Sequence, residues 1–267
     1  MERIRQPAVA GLFYPDIPDT LRADIENYLA DDSSDNTADP DQTRPAVRGL
    51  IAPHAGYVYS GAVAGTAYRR VCGAKYSRVL VIGPAHRYPV RGLALPECES
   101  VRTPLGTMRV DTDGVSVLKQ SAGVADCAAA HALEHSLEVH FPFIQVCLGD
   151  VPIIPLLAGN CDPQTVADAI NAIWNDETLL VASTDLSHFE TYDDASDHDC
   201  ETIESVRAGR WREIGPSDAC GFVGVAAMLI LARRRRYTIT PIRYRNSGDA
   251  GGDARRVVGY AAFTVEA

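Results

Sequence analysis

The sequence predicts an α/β fold: a mainly parallel central sheet with helices on both faces. Two observations carry this. Short apolar, β-branched runs recur along the chain at Val47–Ala52, Arg78–Gly83, Val151–Leu156 and Thr178–Ser183, each long enough for one buried strand. Between them lie segments with helical spacing of apolar residues, and that alternation is the signature of helices packed on a parallel sheet. A length of 267 residues with 46% hydrophobic residues suits one domain spanning 1–267.

The elements follow in order. Asp19–Leu29 reads as a helix with Leu21, Ile25 and Tyr28 along one side. Asp31–Arg44, rich in Asp, Ser, Asn and Pro, reads as a solvated loop, because too little chain precedes it to form a domain. Strand Val47–Ala52 is followed by an Ala/Gly-rich helix at Ser60–Val71, then by strand Arg78–Gly83. Val115–Gln120 and Leu133–Cys147 are expected helices, the second kinked or ended by Pro142. Strand Val151–Leu156, helix Pro163–Asp176 and strand Thr178–Ser183 come next, then helices at Cys200–Ala208 and Gly221–Arg233. Thr238–Arg245 and Val257–Val265 form an antiparallel hairpin. Its connection, Ser247–Asp253, is Gly-rich but lacks the strand–GxGxxG–helix context and a Walker lysine, so it reads as a plain turn.

Net charge is −10, the opposite of what a general nucleic-acid binder or a protein of anionic membrane surfaces shows. The cations are nearly all Arg, with Lys75 and Lys119 the exceptions, which reads as codon bias rather than chemistry. No segment supplies the roughly 20 apolar residues of a membrane helix, and Met1–Pro7 lacks the apolar core of a signal peptide. A cytoplasmic protein is expected. Its seven cysteines are scattered without a CxxC pair, so no disulfide framework is expected and most thiols should behave as small buried hydrophobes.

Three strands run into polar residues that a core would not choose. Val47–Ala52 leads to Pro53-His54-Ala55-Gly56-Tyr57, Val79–Gly83 to Pro84-Ala85-His86-Arg87, and Leu179–Ala182 to Ser183-Thr184-Asp185-Leu186-Ser187-His188-Phe189. Ligands of open α/β sheets bind off the carboxyl ends of strands. One such histidine is usually a hydrogen-bonded structural residue; His54, His86 and the Asp185/His188 pair delivered to one edge point to a shared site. Two imidazoles plus one anionic group hold iron, copper or zinc with open positions. The anionic candidates are Asp185, Glu138 and Cys220, and spacing does not choose among them. Cys220 precedes an apolar helix, whose dipole should lower the thiol pKa. Glu134-His135-Ser136-Leu137-Glu138-Val139-His140 lacks HExxH. On a helix, Glu134 and Glu138 would share a face, as would His131 and His135, and the segment is expected to orient metal ligands through hydrogen bonds.

These residues carry a resemblance. Ala10-Gly11-Leu12-Phe13-Tyr14-Pro15, Ala52–Tyr57 with Ser60-Gly61, Gly83-Pro84-Ala85-His86, Thr103-Pro104-Leu105-Gly106, Glu134–Pro142, Ser183–His188 and Cys220-Gly221 together resemble the MEMO family, called protein B of the AmmeMemoRadiSam system in prokaryotes. The matches run along almost the whole chain. The resemblance implies a fold similar to LigB-type class III extradiol dioxygenases, which use non-haem Fe(II). It implies a metal site of His54, His86 and Cys220, with Cys where the dioxygenases place Glu, and His188 at the acid/base position with Asp185 beside it. Phe222-Val223 departs from the more polar stretch of eukaryotic members, so their peptide-binding role is not carried over.

Three functions are therefore weighed. In a redox enzyme, Fe(II), or else Cu, sits on His54, His86 and Cys220; His188 moves protons, and Asp185 orients it or contacts metal-bound water. The substrate is an unknown small molecule, or the step serves a modification with radical-SAM and AMMECR-like partner proteins, as the system's name implies. In a binding module, the pocket takes a peptide or partner and the metal is structural or vestigial. In a zinc hydrolase, His188 or Glu138 supplies acid/base catalysis. Fold alone does not decide among them.

Overall fold

The structure is a computed structural model that describes residues 3–31 and 46–267; beyond Asp31, the expected loop to Arg44 lies outside the described residues. The elements are β1 (Ile4–Arg5), α1 (Pro18–Ala30), β2 (Val47–Ala52), α2 (Tyr57–Arg69), β3 (Arg78–Pro84), β4 (Leu93–Leu95), β5 (Ser100–Thr103), β6 (Gly106–Arg109), α3 (Thr112–Leu118), β7 (Val124–Asp126), α4 (Ala128–Ala132), α5 (Phe141–Leu148), β8 (Ile153–Ala158), α6 (Pro163–Asn171), β9 (Thr178–Ser183), β10 (His188–Glu190), α7 (Tyr192–Arg207), α8 (Phe222–Arg235), β11 (Thr238–Asn246) and β12 (Val257–Glu266).

A large sheet runs in the order β10-β12-β2-β9-β3-β8-β4-β7, with β11 also on β12; β1, β5 and β6 form a small second sheet. The centre, β2-β9-β3-β8, is parallel throughout. The flanks are not: β12 is antiparallel to β2, β10 and β11, and β4 is antiparallel to β8. The sheet is thus mixed, not mainly parallel. The hairpin expected from Thr238 to Val265 forms, and its second strand joins the main sheet at β2.

Every residue of β8 and β9 is buried, which is why these strands read as unbroken apolar runs. Successive side chains of a strand face opposite ways. Ile82 of β3 meets Gly224 of α8, whereas a side chain at the next position, Gly83, would run into Leu137 and Ser136. Both faces of the sheet are therefore covered, α8 on one and the segment entering α5 on the other.

Several helix expectations change: the helix expected at Val115–Gln120 forms as Thr112–Leu118, and the one expected at Pro163–Asp176 ends at Asn171. Leu133–Cys147 is not one kinked helix: Glu134–Leu137 is non-helical, Glu138–His140 is a single 3₁₀ turn, and α5 starts at Phe141 with Pro142 in its first turn, where a missing N–H costs nothing. α7 starts at Tyr192, two turns before Cys200; Thr191 caps it by accepting from the Asp194 N–H, and Asp193 and Asp194 suit its positive end. α2 starts at Tyr57, directly after the His54 turn. Short strands β1, β4, β5, β6, β7 and β10 carry too few residues for a periodic signal.

The thiols also depart from expectation. Cys72 and Cys147 are joined as a disulfide with Cα atoms 4.3 Å apart, held where the Gly73 N–H donates to the Cys147 carbonyl. The other five are free; Cys200 is exposed, and Cys98, Cys127, Cys161 and Cys220 are half-buried. Among the described residues no helix is long and apolar enough to cross a membrane.

Candidate metal centre

The parallel centre aligns the carboxyl ends of β2, β9 and β3 along one sheet edge. Because β9 lies between the other two, His54 and His86 emerge on either side of the Ser183–Asp185 segment. Cys220 arrives from the turn before α8. The ligand atoms of His54, His86 and Cys220 all lie within 4.8 Å of one another, with Cys220 Sγ 3.4 Å from His54 Nε2.

Each imidazole is oriented from behind. Ser183 Oγ donates to the Ser136 carbonyl at 2.6 Å, so it accepts from His54 Nδ1–H at 2.7 Å. This fixes the tautomer and leaves Nε2 bare. His86 Nδ1 lies 3.2 Å from Glu134 Oε1 in the same way. Glu134 also accepts the backbone N–H groups of His86, Arg87, His135 and Ser136. Burial would raise its pKa, but the His135 and His86 side chains and the Ser136 N–H prevail and hold it well below the usual carboxylate range. The expected hydrogen-bonding role of the 134–140 segment is met by Glu134, through a loop rather than a helix. His86, Glu134 and His135 also form a second close donor set, but Glu134 is spent on backbone N–H groups.

Cys220 corrects an expectation. Burial, then the Asp185 charge, pushes its thiol up to about 12, despite hydrogen bonds from backbone N–H groups. Desolvation outweighs the helix dipole here. His54 is held well below 6.5, first by burial and then by the neighbouring imidazoles. A neutral imidazole and a reluctant buried thiol need a local positive charge before the thiolate can form, and a cation at these donors would supply it. The donor set fits a soft-to-borderline metal.

The remaining expected residues sit at the rim or behind it. Asp185 is buried; its Oδ1 accepts the His54 backbone N–H at 2.8 Å and its Oδ2 lies 3.9 Å from His54 Nε2. It anchors His54 rather than orienting His188, whose Nδ1–H donates to the Leu186 carbonyl at 2.7 Å. Glu138 is not near the ligands: fully buried, it binds Arg5, the Ala8 and Val9 N–H groups and the Tyr14 hydroxyl. It is neither a ligand nor an acid/base group.

Two site residues had escaped a role. His135 stacks on His86 with ring centroids 4.9 Å apart and lies 5.5 Å from His54, while His131 and His140 are buried structural residues bonded to the Ala94 carbonyl and the Tyr68 hydroxyl. Ser183 carried no signal of its own beyond being a polar residue ending an apolar strand. Gly221 is obligatory by close approach, since a Cβ there would lie 2.2 Å from the Ser183 carbonyl oxygen.

A family model described as Memo-like protein matches residues 5–264. The chain belongs to the Memo-like family. The Memo-like chain is 35% identical over 273 residues to a MEMO1 family protein of Methanothermobacter thermautotrophicus, covering 97% of this chain and 99% of the relative. It is 34% identical to those of Methanopyrus kandleri, over 281 residues (97% and 98%), and Thermotoga petrophila, over 275 residues (96% and 97%). Among solved structures, an uncharacterised Escherichia coli protein shares the fold of the Memo-like chain at a TM-score of 0.52 and 12% identity, covering 82% of this chain and 99% of that one.

Proposed function

We propose that this Memo-like protein is a mononuclear non-haem metal enzyme of the redox class, similar in fold to class III extradiol dioxygenases, with Fe(II) on His54, His86 and Cys220 and Cu as the alternative; Zn on the same donors would make it a hydrolase instead. The observation that carries the reading is the convergence of two imidazoles and one thiol within 4.8 Å, with both Nδ1 atoms already engaged. When bound, such a metal supplies Lewis acidity and, if iron or copper, one-electron chemistry.

The protein's own groups do the rest. Ser183 and Glu134 keep both Nε2 positions pointed at one place. With its Nδ1 proton given to Leu186, His188 keeps Nε2 to take or give a proton at the site edge. Asp185 holds the His54 backbone in place through its Oδ1, and burial raises its own proton affinity. The substrate is a small oxygen-bearing molecule or a group on a partner, the radical-SAM and AMMECR-like proteins being the expected partners.

Metal analysis after anaerobic purification tests this, for wild type and Cys220→Ser. Stoichiometric iron or copper, lost in the variant, is the expected result. Zinc without oxygen consumption moves the protein to the hydrolases. No metal, even after anaerobic Fe(II) reconstitution, defeats the proposal.

A further inference from the structure

At the far end of α8 from Cys220 lies a second concavity, a cleft of about 660 Å³. The end of α7, the turn Trp211–Glu213, the last turn of α8 and the start of β11 meet there. A helix of 14 residues is roughly 20 Å long, so the cleft is well separated from the candidate metal centre.

Arg207, Arg210, Arg212 and Arg233 line the cleft, over a floor that includes Leu229 and Ile239. Two of these cations are already neutralised: Arg207 by Glu204 and Arg210 by Glu213, each at 2.6 Å. Among the described residues Arg212 and Arg233 make no ion pair, and Glu213, the carboxylate in the cleft, is taken by Arg210, which leaves two uncompensated cations there in a chain whose net charge is −10. The guanidinium of Arg212 lies 4.3 Å from the Trp211 ring centroid, which holds it in place. Arginines in the last turn of a helix are often there for its dipole. That accounts for Arg233 and for its neighbour Arg234, which pairs with Asp168. It does not account for Arg210 and Arg212, which come from another segment to the same cleft.

We propose that this cleft binds a small polyanion carrying two or more linked phosphoryl groups. Guanidinium forks bind phosphate oxygens bidentately, and two forks carried by different segments, Arg212 on the Trp211–Glu213 turn and Arg233 on α8, suit a ligand that spreads its charge over linked phosphoryl groups. The volume falls in the range of small-molecule sites, and the apolar floor with Trp211 gives room for a ring attached to the phosphates.

Trp174 is buried, so quenching by ligand reports Trp211, the other tryptophan. Full-length protein is titrated with pyrophosphate, ATP and orthophosphate at low ionic strength, where charge pairing is least screened. Pyrophosphate and ATP should bind saturably, and orthophosphate about tenfold more weakly. Arg212→Gln and Arg233→Gln should each weaken pyrophosphate about tenfold, with thermal midpoint and metal content unchanged. Arg255→Gln, an exposed arginine paired with Asp253, should bind as wild type. Tighter ATP than pyrophosphate assigns a nucleotide; equal affinities assign a plain polyphosphate. No saturable binding, pyrophosphate affinity as in wild type for both cleft variants, or preference for an acidic peptide over pyrophosphate overturns the proposal. Metal content is read separately, so this site fails or stands independently of the metal centre.

Discussion

Ser183 Oγ lies 2.7 Å from His54 Nδ1 and, at the same time, 2.6 Å from the Ser136 carbonyl oxygen. With one proton to give, the hydroxyl spends it on the carbonyl and so dictates that His54 carries its proton on Nδ1. The last residue of β9 thereby sets which nitrogen of a histidine on β2's turn is available. Ser183→Ala should lower metal affinity by about 10- to 100-fold. It also leaves the Ser136 carbonyl unpaired, at a cost of about 1–3 kcal/mol. Metal titration and a denaturant midpoint, measured on the same preparation, separate the two effects; unaltered affinity would mean that the tautomer is held elsewhere.

Glu134 plays the corresponding part for His86 but ties the loop as well. Glu134→Gln keeps the shape and removes the charge, and its NH₂ cannot accept the backbone N–H groups that one carboxylate oxygen accepts now. Metal affinity should fall and the midpoint should fall with it. A variant as stable as wild type would show that the four backbone bonds contribute little.

Glu138 separates structure from chemistry. It is the buried partner of Arg5, at 2.7 Å, and the hub of the segment Ala8–Tyr14. Removing one member of a buried ion pair costs about 3–5 kcal/mol. Glu138→Ala should lose stability on that scale while the folded fraction keeps its metal stoichiometry. Loss of metal at full stability would instead return Glu138 to the site.

His198 sits between Asp218 at 2.8 Å and Glu190 at 2.9 Å, joining β10 to the turn that leads to Cys220. The Asp218 hydrogen bond, against partial burial and with help from Glu190, raises its pKa above 6.5. A raised histidine pKa means that the folded state holds the proton more tightly. The stabilisation is complete below pH 6.5 and is lost as pH rises through the folded value. Thermal midpoints should therefore fall between about pH 6 and 8 in wild type and stay flatter in His198→Gln. Parallel curves for the two proteins would show that the His198 pairing with Asp218 and Glu190 does not set this pH dependence.

The central strands were legible because they are buried on both faces: Val47–Ala52 and Thr178–Ser183 form as expected to the residue, β3 differs by one, and the strand expected at Val151–Leu156 forms two residues later as β8. The sequence by itself also placed His54, His86, Asp185 and His188 just past strand ends, since polar residues that follow unbroken apolar runs have nowhere to go but the sheet edge. Tertiary structure alone decided the rest. Antiparallel flanks depend on which edge a short strand finds, and three-residue strands carry no period. Glu134 and Glu138, four positions apart, were expected on one helix face with Glu138 the ligand candidate; the loop at Glu134–Leu137 instead sends Glu134 to His86 and Glu138 to the N-terminal segment. Cys220 is 166 positions from His54, and its distance from His54 Nε2 and its raised proton affinity follow from burial among groups that only the fold brings together. Local pattern fixes which face a residue takes, whereas the partners that tune a thiol or an imidazole are non-local, and non-local contacts exist only once the sheet has closed.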